Sequence, residues 1–354
     1  MSTRSSRCLP SKNCRASRLT HYSRYRFWRV TFWMGWGGAV FTAGWVLRVF
    51  GSYNPDNLNL YIAQTCLILG GPPIFAAAEY NILGRLMHYV PMHAPLNPGR
   101  LVIFFVYVGA AVESLTAAGA AMRSGGAVDN PSAYRTGGLL IAISLILQAA
   151  VEILYISLVN LMHRRCKRAG ITAKNLRTLF WMLYGTAFLV LFRCVFRVIE
   201  AFGVDFASSA EECGSLCNFF LRNEWYLFVF EGASMVLYTY WLNIIHPGRF
   251  LPRNKMRYLD TDGQTERMGP GWVDKRSKWE TFADPWDLTN TLRGEPKHEK
   301  YWLQAGRWAE AQGGSFALGT ATNVGSPLKI NTRASKGAGV SAGTKYSPLD
   351  GQDV

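Results

Sequence analysis

The chain has 354 residues, of which 49% are hydrophobic and only 17% charged, with 38 Lys and Arg against 23 Asp and Glu and a formal net charge of +15. The charges crowd the first thirty residues, one internal loop and the last hundred, so the excess does not describe a nucleic-acid-binding surface. Basic clusters beside apolar runs are the pattern of membrane topology, and between residues 31 and 246 apolar runs follow one another with short breaks. A helix needs roughly 20 mostly apolar residues to cross a bilayer. The composition therefore excludes a set of soluble domains and predicts an all-α polytopic transmembrane helix bundle with six spans.

Residues 1–30 form a basic segment with eight Lys or Arg and no acid, without the short apolar core and cleavage site of a signal peptide. The predicted spans follow at Phe32–Phe50, Leu60–Met87, Arg100–Met122, Gly138–Met162, Leu179–Phe202 and Glu224–Ile245. Gly70-Gly71-Pro72-Pro73 predicts a kink in the second, because proline removes a backbone donor. Lys and Arg alternate between connections: none near Asn54-Pro55-Asp56, six in HRRCKRAGITAKNLR, one against three acids between 203 and 223. By the positive-inside rule both termini are expected in the cytoplasm. The division is thus a basic N-terminal segment (1–30), a helix bundle (31–250) and a polar, disordered cytoplasmic tail (251–354) rich in Gly, Ser and Lys.

GxxxxGK[ST], HExxH and CxxC are absent. No catalytic residue, metal or cofactor is expected. Cys213 and Cys217 share an acidic connection assigned to the outside, where disulfides persist, and are a candidate bridge. Ionisable residues within the spans carry most information, since each needs a partner or a watery cavity. Arg193, Arg197 and Glu200 lie four and three apart, on one helix face. Counting 1.5 Å per residue places Glu113, Arg193 and Glu231 in the outer half of the bilayer, with Arg197, Glu200 and Glu224 capping that layer and with Glu79 and Glu152 deeper. These six, Glu113, Arg193, Arg197, Glu200, Glu224 and Glu231, are the candidate substrate-binding set. Mutual neutralisation of Arg197 and Glu200 is the structural alternative.

Several strings resemble the fungal lipid-translocating exporter family, the RTA-like proteins, over Gly44 to Leu251. They are Gly44-Trp45 with Arg48, AAAEYNILGRL around Glu79, Tyr80 and Arg85, Gly137-Gly138 leading to Gln148, FRCVFRVIEAFG (192–203), NEWYLFVFEG (223–232) and IIHPGRFL (244–251). The resemblance implies a fungal plasma-membrane protein of seven helices, with the endoplasmic reticulum as alternative, that exports or flips sphingoid bases and confers resistance to toxic amphiphiles. Some members of that family are linked to haem or porphyrin movement. Two departures stand out: a basic segment where the family's first helix is expected, which implies a six-helix variant or a mis-assigned first exon, and Glu231 where Asp is usual. The expected partners are membrane lipids or amphiphilic small molecules, without nucleic acid. A membrane receptor that regulates lipid traffic is the competing class, and an intramembrane enzyme the third.

Overall fold

A computed structural model describes residues 27–321, apart from 55, 130, 172, 203–222, 224, 273–276, 285–288, 290–300 and 304–307. Among the described residues six helices are long and apolar enough to cross a membrane. They are α1 (Trp28–Tyr53), α2 (Leu58–Tyr89), α3 (Pro98–Asp129), α4 (Pro131–Arg168), α5 (Lys174–Glu200) and α6, which opens as a π-helix over Leu227–Ala233 and continues as α-helix over Ser234–Ile244. Each helix packs on the next, and α2 also touches α5. From α1 to α5 this up-down order follows from connections too short for anything but antiparallel neighbours.

The expected spans are all present; the first five are longer than expected, and the sixth, Leu227 to Ile244, is shorter. At 38 residues α4 extends for roughly 57 Å, against a hydrocarbon core of about 30 Å. Apolarity stops at the lipid boundary, whereas the backbone hydrogen bonds continue into water. The helix starts are set by local chemistry: Asn57 Oδ1 accepts from the Leu60 N–H at 3.2 Å to cap α2, and Pro98 opens α3, where a missing N–H removes no bond. The kink expected at Pro72-Pro73 does not end α2, which is a single helix through both prolines.

Large apolar side chains cover the outside of the bundle as well as filling its core. Phe188 and Val236 are 64% and 66% exposed, while Arg193 and Glu231 are fully buried. Gln64, Glu79, Ser144, Glu152 and Thr186 are buried as well. Apolar side chains facing outward, around a mainly apolar core that also holds these polar groups, are what a lipid solvent selects, and the chain is a multi-pass membrane protein. Across the α3–α4 seam the Thr116 hydroxyl donates to the Ser144 hydroxyl at 2.8 Å. The same seam closes at Gly119 and Gly137. A Cβ on Gly137 would lie 2.5 Å from the Arg123 backbone nitrogen, so only glycine lets the backbones meet.

The tail departs from the expectation of disorder in its first part. The chain leaves α6 through a turn in which the His246 ring nitrogen Nδ1 accepts from the Gly248 N–H at 3.1 Å. A two-stranded antiparallel hairpin follows, β1 (Arg257–Leu259) with β2 (Glu266–Met268), then a short helix α7 (Lys278–Ala283) with a Ser277–Glu280 capping box. The organising group is Glu266, 4% exposed. Its Oε1 accepts from the Tyr89 hydroxyl at 2.7 Å, the Ser315 hydroxyl at 2.8 Å and the Phe316 N–H at 2.6 Å, and its Oε2 pairs with Arg257. Asn175 at the start of α5 donates to the Phe316 carbonyl at 2.8 Å, and Arg85 of α2 to the Arg253 carbonyl at 3.0 Å. A carboxylate this buried needs many donors. Meeting that need ties the tail to the ends of α2 and α5, a long-range arrangement that no local period in the sequence announces.

Candidate functional site

Two polar features occupy the interior of the bundle. The first joins α5 to α6. Arg193 Nε donates to Glu231 Oε1 at 2.7 Å, Arg197 Nε donates to Glu231 Oε2 at 2.8 Å, and Arg197 Nη1 donates to Glu200 Oε2 at 2.8 Å. Spacings of four and three residues bring the α5 groups to one face, as the sequence implies. The acceptor is placed less predictably. Glu231 lies in the π-helical turn, whose wider ring changes the direction of every side chain after it, a feature frequent at functional sites. The Ser234 hydroxyl takes up carbonyls this turn frees, donating to Phe230 at 2.6 Å and Glu231 at 2.9 Å. Phe196 stacks on Phe230 with centroids 4.5 Å apart. Trp45 of α1 packs on Phe228 at 5.0 Å and would sit 3.3 Å from a Cβ on Gly232.

Two arginines and two glutamates make this layer formally neutral. Arg193 Nη1 and Nη2 have no hydrogen-bond partner among the described residues, and Glu113 of α3 lies within electrostatic reach of Arg193.

The second feature is a partly open cavity of about 190 Å³ lined by α1 to α5. Trp33, Ala77, Tyr80, Phe105, Gly109 and Val190 give it largely apolar walls, and Glu113, Gln148 and Glu152 supply the polar groups. Tyr80 and Phe105 stack at 4.5 Å and set one wall. The volume is below the roughly 300–1,000 Å³ of typical ligand pockets, and so matches a head group rather than a whole lipid.

Of the six candidate residues, four (Arg193, Arg197, Glu200 and Glu231) are gathered in the ion-pair layer, and Glu113 lies in the cavity wall while interacting with Arg193. Glu224, Cys213 and Cys217 lie outside the described residues. Gln148, Glu152, Tyr80 and Trp33 were not in that set. The signal for Glu152 was present, an acid in the middle of a span, but counting depth along single helices assigned it to a different layer from Glu113. Among the described residues no group of three or more His, Cys, Asp or Glu could hold a metal ion.

Comparison with known proteins agrees with the membrane architecture. Residues 34–254 match the family described as RTA1 like protein. The chain is 37% identical to the lipid-translocating exporter-like protein RTA1 of Leptosphaeria maculans, over 71% of this chain and 50% of that protein, so it spans half of that relative's length. It is 27% identical to the protein of the same description in Ajellomyces capsulatus, over 73% of this chain and 82% of that one. Protoporphyrin uptake protein 1 of Saccharomyces cerevisiae is 26% identical over 55% of this chain and 61% of its own length. No solved structure matches.

Proposed function

The chain belongs to the RTA1-like protein family, and on that premise we propose that it moves amphiphilic lipids between the leaflets of its membrane by way of the cavity between α1 and α5. The observation that carries this reading is the cavity's chemistry: apolar walls at membrane depth, interrupted by Glu113, Gln148 and Glu152. A head group that is cationic and rich in hydroxyls pairs with carboxylates and an amide, while its alkyl chain lies between helices or in lipid. Ionisable groups at this depth mark substrate paths in membrane proteins. Two relatives named as lipid-translocating exporter-like proteins support the same class of activity.

Within that class we favour long-chain amines such as sphingoid bases, handled at the plasma membrane. A porphyrin carries carboxylates of its own, which would meet Glu113 and Glu152 with like charge, so the porphyrin reading ranks second despite the relative named for protoporphyrin uptake. The ion-pair layer of Arg193, Arg197, Glu200 and Glu231 serves as the rigid joint between α5 and α6 that holds the cavity's outer side.

Flux settles the matter. The purified chain is reconstituted in vesicles, and transbilayer movement of fluorescent long-chain amines is followed by quenching from outside. Wild-type protein is expected to raise the rate at least tenfold over empty vesicles, with the Glu113→Gln/Glu152→Gln variant near the empty-vesicle rate. Correctly inserted wild-type protein with no effect on flux would overturn the transporter reading. If the amine still bound, the receptor class would take its place.

A further inference from the structure

Glu79 is left unused by the ion-pair layer and by the cavity wall. It is fully buried on α2, and it interacts electrostatically with Glu152 of α4, 2% exposed, which is one of the residues lining the cavity. Both carboxyl oxygens of Glu79 and Oε1 of Glu152 lack any hydrogen-bond partner among the described residues, and neither acid forms an ion pair there.

The donors nearby are spent elsewhere. The Tyr238 hydroxyl lies beside Glu79 but donates to the Phe75 carbonyl at 3.0 Å. The Thr186 hydroxyl donates to the carbonyls of Met182 and Leu183, at 3.2 and 3.1 Å. The Tyr155 hydroxyl donates to the backbone carbonyl of Glu79 at 3.4 Å, not to its carboxyl. The titratable groups facing the pair are Tyr80 from α2, Tyr155 from α4, Cys194 from α5 and Tyr238 from α6, with Glu113 of α3 in the same cavity wall. Trp33, from α1, carries no charge. None of these is a cation; Arg193, next to Cys194, gives its Nε to Glu231, and its Nη1 and Nη2 make no hydrogen bond to either acid.

Two buried carboxylates within electrostatic reach of one another, without a counter-charge, are not a stable state. A proton held by one acid removes the repulsion. We infer that the Glu79–Glu152 pair is a proton site in exchange with the cavity: one proton is bound when the cavity is empty, and a cationic head group arriving at Glu152 displaces it. The exchange balances. A carboxyl O–H bond breaks, the proton leaves to the aqueous phase, an ammonium–carboxylate pair replaces it, and the net charge of the site does not change. A transporter so built would couple a proton gradient to movement of a cationic amphiphile. This rests on the reading of the cavity as the amphiphile site.

The test uses the purified full chain in a weakly buffered detergent solution and a fluorescent trimethylammonium amphiphile below its micellar concentration. That probe has no proton of its own to release. Binding to wild type is expected to release about one proton per probe bound and to diminish the protonated-carboxyl stretch in the infrared difference spectrum. Glu79→Gln and Glu152→Gln should each abolish the release, and Glu79→Asp should restore most of it, which separates the proton role from a folding role. Probe binding without proton release, or undiminished release from Glu79→Gln, overturns the exchange. A wild-type protonated-carboxyl stretch lost in both Gln variants, in a protein that neither binds nor moves the probe, would retain the proton pair and remove the transport reading. Absence of that stretch removes the pair and leaves transport standing.

Discussion

Replacing Glu231 by Gln tests the joint between α5 and α6. Each oxygen of the buried carboxylate takes one arginine, at 2.7 and 2.8 Å. Glutamine keeps one acceptor, places an NH₂ against the other guanidinium and removes the charge. Breaking one partner out of a buried pair costs about 3–5 kcal/mol. The lower end applies, because Glu200 still neutralises Arg197 and polar contacts in membranes are worth less than burial alone suggests. About 3 kcal/mol is roughly a 150-fold change in the folding equilibrium, and for a body of this size a fall of about 6–12 °C in melting temperature. The assay is thermal unfolding in detergent, followed by tryptophan fluorescence and by retention on gel filtration. Glu231→Asp, with a shorter reach to one arginine, should lie between the two. The double variant Arg193→Gln/Glu231→Gln should lose less than the sum of its parts by at least about 1 kcal/mol. A Glu231→Gln protein that melts with the wild type would refute the joint.

Three further outcomes are expected. Gly137→Leu should overpack the α3–α4 seam and destabilise by about 1–3 kcal/mol, read as lower melting temperature and expression, whereas Gly109→Ala, where a Cβ meets open space, should be neutral. Glu266→Gln should loosen the tail by about 2 kcal/mol, since Arg257 loses its counter-charge. Protease cleavage within residues 301–321 should accelerate while membrane insertion is unchanged, and an unaltered cleavage rate would contradict the role of Glu266. Reporter tags at either terminus should be protected in intact cells and a tag at residue 210 accessible, as the alternation of basic loops requires; an accessible N-terminus would contradict that orientation.

The six spans were legible because the bilayer is itself a ruler: about 20 apolar residues are needed and each run supplies them. Their true ends were not, since polar turns such as Lys174 to Arg177 remain helical in water. The α5 arginine face was legible from spacing alone. Its partner's orientation was not, because the π-helical turn inserts a residue that no hydrophobic period records. Depth counted along isolated helices grouped Glu113 with Arg193, and the two do interact. The same counting separated Glu113 from Glu152, though both line one cavity, since helix tilt and rotation are settled by packing between chain-distant faces. Glu79 behind Glu152 is a contact of the same kind. In the tail, strands of three residues are too short for a period, and the fold depends on what surrounds one carboxylate, Glu266.

The most direct test of the cavity as the amphiphile site is photo-crosslinking with a long-chain amine that carries a diazirine beside its nitrogen. Label is expected on peptides containing Tyr80, Gln148 and Glu152, competed by unlabelled amine and lost in Glu113→Gln/Glu152→Gln protein that still folds. Label confined to the lipid-facing surface of α5 and α6, around Phe188 and Val236, with no competition, would contradict it.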